Sequence, residues 1–235
     1  MKGKGVLYVI PSGLGDGTQH TIPKHVTDAI KDLHVFVVEN LRSARRYLRS
    51  IGYQGDFDKI TMIELDKHAG KQDYSIFLND TLNGEDTGLI SEAGYPAVAD
   101  PGAEIVHLAH QKGIQVIPLV GPSSILLALA ASGLGGQQFS FNGYLPVRGA
   151  ERIKAIKQLE ERSARQKQTE IFMETPYRND QMFDDLIQNC KPGTNLCIAA
   201  DLTLETETVI TKKIQDWKKE TPKLHKRPAI FIIRS

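Results

Sequence analysis

Apolar and polar positions along the chain switch between two periods. Val6-Leu7-Tyr8-Val9-Ile10 is an unbroken apolar run closed by Pro11 and by the glycine-rich turn Gly13-Leu14-Gly15-Asp16-Gly17. That is the pattern of a parallel strand buried on both faces. Pro23 with Val26, Ala29 and Ile30 gives helical spacing after a proline start, and His34 to Glu39 returns to strand pattern. Leu41 to Ile51 is helical again. Ser75 to Leu78 is apolar but too short to separate a buried strand from a helix fragment. Gly88-Leu89-Ile90-Ser91 enters a small-residue turn, Pro101 to Gln111 is helical up to Gly113, and Val116 to Val120 is a strand leading into Gly121-Pro122-Ser123-Ser124. Ile125 to Ala131 is an almost wholly apolar helix that Gly133 stops.

Beyond Gly135-Gly136 the pattern changes. Phe139 to Pro146 is aromatic and strand-like, and Glu151 to Gln168 is a charged helix whose apolar stripe is Ile153, Ile156 and Leu159. Glu170 to Glu174, Leu196 to Asp201, Thr208 to Thr211 and Ala229 to Ile233 read as strands, with a helix from Met182 to Ile187. The expected fold is therefore α/β in two units, a parallel half over residues 1–118 and a half with largely antiparallel strands over 119–235. No internal repeat or low-complexity tract points to a solenoid.

Composition narrows the function classes. With 235 residues, 40% of them hydrophobic and 24% charged, the chain is long enough for one large core or two small ones. A formal net charge of +1 supplies no global field for nucleic acid or an anionic membrane, so any such contact needs a local basic patch. Cys190 and Cys197 lack a metal or redox spacing and read as reduced thiols. Residues 1–5 offer no signal-peptide core, and no apolar run approaches the roughly 20 residues that span a bilayer. A cytoplasmic protein without a membrane segment is expected.

Two small-residue turns at strand ends, Ser91 to Pro96 and Gly121 to Ser124, are the strongest chemical signal. Such turns leave backbone N–H groups and ligand space at the carboxyl edge of an open sheet. Gly13 to Gly17 has neither the GxGxxG spacing nor a Walker lysine, so it reads as a turn or a loop admitting a ligand. Gly121-Pro122-Ser123-Ser124-Ile125 lacks the second glycine of a nucleophile elbow, and no histidine stands where a triad needs one. His107 and His110 share a helix face with Glu104 but have no further ligand, so no metal is expected. Arg42, Arg45, Arg46 and Arg49 stand at i, i+3, i+4 and i+7 and form one basic stripe, either a solvated face or a contact for polyanion phosphates.

Ordered motifs then carry a resemblance. Leu89-Ile90-Ser91-Glu92-Ala93-Gly94-Tyr95-Pro96-Ala97-Val98-Ala99-Asp100-Pro101-Gly102, Ile117 to Ser124, Ala130 to Leu134, Phe141 to Pro146, Phe172 to Arg178 and Ala200 to Thr203 together resemble the tetrapyrrole methylase superfamily, and within it the bacterial 16S ribosomal RNA cytidine 2′-O-methyltransferases. The resemblance implies two αβα domains with a cleft for S-adenosylmethionine between them, a homodimer, and a small-ribosomal-subunit RNA substrate. It implies that Ala93, Gly94, Tyr95 and Val98 line the methionine and ribose side of the cofactor. Ser123 and Ser124 would contact it from the second turn, with Met173 and Leu202 near the adenine. The chain departs from the ribosomal pattern at Pro11 to Gly15 and at Glu39 to Arg42, both on the substrate side.

Methyl transfer asks chiefly that the acceptor be held about 3–3.5 Å from the methyl carbon. A ribose hydroxyl must also lose its proton, and Glu39 is the candidate acceptor, with Arg42 fixing a nearby phosphate. Alternatives are methylation of a tetrapyrrole or another small molecule by the same fold, and a cofactor-binding module without transferase activity. Reversing Arg45 and Arg46 to Glu is expected to weaken RNA affinity in low-salt filter binding while leaving small-ligand binding unchanged.

Overall fold

Continuous apolar runs become strands covered on both faces. In the computed structural model, which describes residues 3–65 and 73–235, Val35–Val38 and Thr87–Ile90 are buried at every position. Met1 and Lys2 of the chain's opening lie outside the described residues. The chain separates into two compact units, Met1–Ser123 and Ser124–Ser235.

The first unit is a parallel five-stranded sheet built from β1 (Val6–Ile10), β2 (Val35–Val38), β3 (Thr61–Glu64), β4 (Thr87–Ile90) and β5 (Gln115–Pro118), in the order β3-β2-β4-β1-β5. On one face α1 (Lys24–Ile30) and α2 (Leu41–Ser50) bury Val26, Ile30, Ala44 and Leu48 against Ile10, Phe36, Val38 and Ile90. On the other, α4 (Ala103–Gln111) sets Ile105 and Ala109 against Leu7, Val37 and Leu89, with Phe77 and Leu78 beside them. The ambiguous stretch near Ser75 is a 3-10 helix, Tyr74–Leu78, running into the short α3 (Asn79–Leu82). β3 escaped the pattern reading. It is an edge strand with exposed ends and half-buried Met62 and Ile63, so it lacks the continuous apolar run that marked its neighbours.

At the centre of this sheet the strands leave no room for a side chain at Gly88. It pairs with Tyr8 and Phe36, and an added Cβ would lie 2.6 Å from Ile10 Cδ1 and 2.8 Å from Phe36 Cδ1. Rigid core atoms close on it from both neighbouring strands.

The second unit carries α5 (Ser124–Ser132), β6 (Phe139–Tyr144), α6 (Gly149–Gln166), β7 (Thr169–Met173), α7 (Asn179–Asn189), β8 (Asn195–Ala200), β9 (Thr208–Lys213), α8 (Ile214–Trp217) and β10 (Ala229–Arg234). Its sheet has the order β6-β7-β10-β8-β9; β6 runs parallel to β7, and the other pairings are antiparallel. Phe172, Ile198, Phe231 and Ile233 pack with Ile156, Met182, Leu186 and Trp217 in one core. Ile232 and Cys197 alternate with these residues onto the opposite face, where α5 packs on β8, β9 and β10.

One charged group is buried in this sheet. Glu170 on β7 is fully covered, and its carboxylate accepts from Arg162 Nε at 2.8 Å, Gln168 Nε2 at 2.7 Å and Asn142 Nδ2 at 3.0 Å, with a further bond from Arg162 Nη2. Burial pushes this carboxyl up, but the hydrogen bonds from Arg162, Gln168 and Asn142 outweigh it and hold the group below the usual carboxylate range.

Gly88→Ala is expected to cost about 1–3 kcal/mol of stability in urea unfolding, because neither neighbouring strand can yield. Glu170→Gln is expected to be less stable than the parent above the ordinary carboxylate pKa of about 4.3. The difference should fade as pH falls through the lowered folded value, since the stabilising ionised form is lost there; denaturation at stepped acidic pH reads it.

Candidate functional site

All strands of the first sheet run the same way, so every strand-to-helix loop emerges at one carboxyl edge. After β1 the chain turns toward α1 on one face, and after β4 it turns toward α4 on the other. Strand order reverses there, which opens a crevice where open α/β sheets bind ligands. The edge is tightly laced. Ser12 N–H donates to the Gly94 carbonyl at 2.7 Å and Gly94 N–H returns a bond to Ser12 at 3.1 Å. Ser12 Oγ donates to the Ser91 carbonyl at 2.8 Å, Tyr47 Oη to the Pro11 carbonyl at 2.5 Å, and Gly121 N–H to Tyr95 Oη at 2.7 Å.

Beside this lacing lies a cavity of about 510 Å³. The loop from Ser12 to Gln19 forms one wall, α2 contributes Ser43, Arg46, Tyr47 and Ser50, and Glu92 and Ala93 close the side toward β4. The four helix residues are spaced i, i+3, i+4 and i+7, so they share one face. Burial pushes the Tyr47 phenol far up from its ordinary value, and it remains a neutral donor to Pro11. Gly13 to Gly17 is thus the rim of a pocket of mixed polar and apolar lining. Ser12 falls in the Pro11 to Gly15 stretch placed on the substrate side by resemblance, whereas Thr18, Ser43, Tyr47 and Ser50 had no sequence signal beyond a glycine loop followed by a helix with that spacing.

The basic stripe divides on folding. Arg46 alone faces the cavity, 3.1 Å from Asp16 across its rim. Arg45 and Arg49 lie over the Phe57 ring, at 5.9 and 4.3 Å from its centroid, and Arg49 also donates to the Tyr53 carbonyl at 2.9 Å. The repulsion expected of four neighbouring cations is relieved by an aromatic face, a carbonyl and a carboxylate. Arg42 is exposed at the start of α2. Glu39 follows β2, is nine-tenths buried, and its Oε2 accepts the Glu92 N–H at 2.9 Å. Neither Glu39 nor Arg42 lines the cavity; Glu39 reaches it through Glu92.

Residues assigned to the cofactor by resemblance fall on strand-end turns of both units. Ala93 and Val98 are exposed, Gly94 is buried with φ +69°, Tyr95 and Ser123 are half-buried, and Ser124 opens α5. In the second unit β7 and β8 both pair antiparallel with β10, so their carboxyl ends share one edge. Met173 ends β7 and Leu202 follows β8 at that edge. The buried Glu174 carboxylate next to Met173 accepts from Arg178 Nη2 and Thr175 N–H, both at 2.6 Å. Burial pushes it up, and these partners more than compensate, leaving it below the ordinary range.

Backbone strain marks the same places. Among the described residues six non-glycine positions have positive φ, and four of them sit in these turns: Ala97 (69°) and Ala99 (63°) after β4, Asp201 (53°) and Thr203 (73°) after β8. Residues with a Cβ avoid this region, Thr most of all, and such strain clusters at ligand sites. Glu174 Oε2, Arg178 Nε and Thr203 Oγ1 are buried without a hydrogen-bond partner among the described residues.

Elsewhere the chemistry is quiet. Cys190 and Cys197 are buried free thiols, and burial, reinforced by Glu160, pushes Cys190 up to about 12, where thiolate reactivity is suppressed. His107 Nε2 lies 2.9 Å from the Gln111 amide, and His68 is outside the described residues. No helix among the described residues is long and apolar enough to cross a membrane.

Known proteins resemble this chain in sequence or in fold. The chain is 27% identical over 232 residues to "Ribosomal RNA small subunit methyltransferase I" of Buchnera aphidicola, covering 97% of this chain and 78% of that protein. It is 29% identical over 210 residues to the protein of that name from Vibrio cholerae, covering 88% and 68%. Among solved structures, the methyltransferase CobJ matches with TM-score 0.64 at 18% identity over 98% of this chain and 94% of that one. The uroporphyrin-III-C-methyltransferase of Thermus thermophilus matches with TM-score 0.57 at 15% identity over the same shares. At these identities the structural matches establish the fold. The family description "Tetrapyrrole (Corrin/Porphyrin) Methylases" matches residues 6–217, and the chain belongs to that family of methyltransferases, whose methyl donor is S-adenosylmethionine.

Proposed function

We propose that this protein methylates RNA of the small ribosomal subunit, at a ribose 2′-hydroxyl, as a cytoplasmic homodimer. The observation that carries the reading is the cavity of mixed polar and apolar lining against the Ala93 turn. It is large enough for one nucleotide, carries Arg46 with Asp16 at its rim and Glu92 on its wall, and is walled by hydroxyl oxygens that can accept from a ribose or a base edge. The named relatives act on ribosomal RNA, which favours RNA over the tetrapyrrole alternative.

S-adenosylmethionine, when bound, supplies an activated methyl group, so the chain's own work is positioning. Ala93, Gly94, Tyr95, Val98, Ser123 and Ser124 present small groups and backbone at the turns, while Met173 and Leu202 offer an apolar wall. Ser12 and Ala93 lie on the cavity wall beside these turns, so an acceptor seated there is held next to the donor's turn. Arg46 engages a phosphate at the rim in exchange for Asp16, an inexpensive exchange because an exposed pair contributes only about 0–1 kcal/mol. Glu39, set back from the cavity behind Glu92, takes the ribose proton through one bridging water, and Arg42 contacts a phosphate flanking the seated nucleotide outside the cavity. Support for Glu39 comes from its burial and its fixed bond to Glu92, which orient a carboxylate at the same edge.

Radiolabelled methyl transfer to undermethylated small-subunit RNA is expected, with the product resistant to alkaline cleavage at one nucleotide; label found only in small molecules would refute the reading. Glu39→Gln keeps an oxygen for the Glu92 N–H and removes the charge. It is expected to lower the transfer rate about 100-fold or more with unchanged cofactor affinity. A full rate would reduce Glu39 to a tie between β2 and the β4 turn.

A further inference from the structure

Two strand-end turns of the first unit carry the residues assigned to the methyl donor, one after β4 and one after β5. These strands are not neighbours, because β1 lies between them. Sheet hydrogen bonding therefore leaves the separation of the two turns unset beyond the last ladder pair. A side chain spans the gap. The Tyr95 hydroxyl accepts the Gly121 N–H at 2.7 Å, across 26 residues of sequence.

The surroundings leave this contact little play. Tyr95 follows Gly94, which is clamped to Ser12 by two backbone hydrogen bonds. Gly121 has no space on its other side: an added Cβ would lie 2.3 Å from Pro11 Cγ and 2.4 Å from Pro11 Cβ. Pro11 is itself held by Tyr47, whose hydroxyl donates to its carbonyl. Gly121 is thus fixed between a proline ring and a phenol oxygen, both referenced to the loop after β1.

We propose that Tyr95 is a positioning residue for the methyl donor, its hydroxyl setting the distance between the β4 and β5 turns by capping the Gly121 N–H. The inference rests on the reading of these turns as cofactor contacts. It assigns Tyr95 a role through Gly121 in addition to the contact implied by resemblance, and it makes the hydroxyl, not the ring, the working group. A phenol can accept this bond and phenylalanine cannot, while ring packing is nearly the same in both.

Tyr95→Phe is the test, with calorimetric titration of S-adenosylhomocysteine and steady-state transfer kinetics. Leaving the N–H uncapped is expected to weaken S-adenosylhomocysteine binding and raise KM for S-adenosylmethionine about five- to tenfold, with kcat at saturating donor within about twofold and little change in melting temperature. Gly121 amide exchange should accelerate in the variant while exchange in β4 and β5 is unchanged. Gly121→Ala, pushed off Pro11, should weaken binding by a similar factor, and the double variant should be no worse than the weaker single one, because both act on one spacing. Equal affinity in Tyr95→Phe and the parent would overturn the proposal, as would a fall in kcat matching a general loss of stability. A parent protein that binds neither compound would overturn the cofactor reading of the turns itself, and this inference with it.

Discussion

Ser12 and Gly94 exchange two backbone hydrogen bonds just beyond the ends of β1 and β4, and the site is organised around that pair. The two strands are neighbours whose following helices lie on opposite faces, so their loops would otherwise part. Joining them divides the crevice: on the α2 side lies the cavity, and the turn beyond Gly94 carries the small residues read as donor contacts. Gly94 has φ +69° with ordinary space around its Cα, so conformation and not crowding calls for glycine there.

Strain at Ala97, Ala99, Asp201 and Thr203 costs of order 1–3 kcal/mol at each position and persists only where the surroundings over-determine the backbone. Hydrogen bonds supply that at Ala97, Asp201 and Thr203. Ala97 N–H is taken by the Pro101 carbonyl at 3.2 Å, and Asp201 N–H by the Pro228 carbonyl at 2.9 Å. Thr203 N–H donates to Glu207 Oε2 at 2.6 Å, and the Asp201 carboxylate is held by Arg227 Nε at 2.6 Å and Thr206 Oγ1 at 2.8 Å. Each unit thus carries one stiffened, unfavourable turn at a strand end, as expected of ligand contacts arranged before the ligand arrives.

Charge is used locally. Net charge is close to zero, and most of the arginines on α2 are occupied by Phe57, Tyr53 and Asp16. An arginine paired only at an exposed rim is the one free to trade partners at small cost, and that describes Arg46. Glu170 and Glu174 show the opposite regime: both are buried, each has an arginine partner and further donors, and both are kept ionised by those partners despite burial.

Pattern alone determined much of this protein. Uninterrupted apolar runs announced β1 and β2 because a strand covered on both faces leaves few places for polar side chains, the small-residue turn after Ile90 marked β4, and the motif order from Leu89 to Thr203 carried the family. The edge strand β3 and the 3-10 helix at Tyr74–Leu78 were illegible because short half-buried segments have no distinctive period. Tertiary structure alone decided which face of α2 meets the cavity, and so separated Arg46 from Arg45 and Arg49: helical spacing puts all three near one another, but only the positions of Phe57 and Asp16 assign them different partners. It alone brought Tyr95 to Gly121 and Glu39 to Glu92, since contacts across strand order depend on which strands lie side by side, and no local preference encodes that.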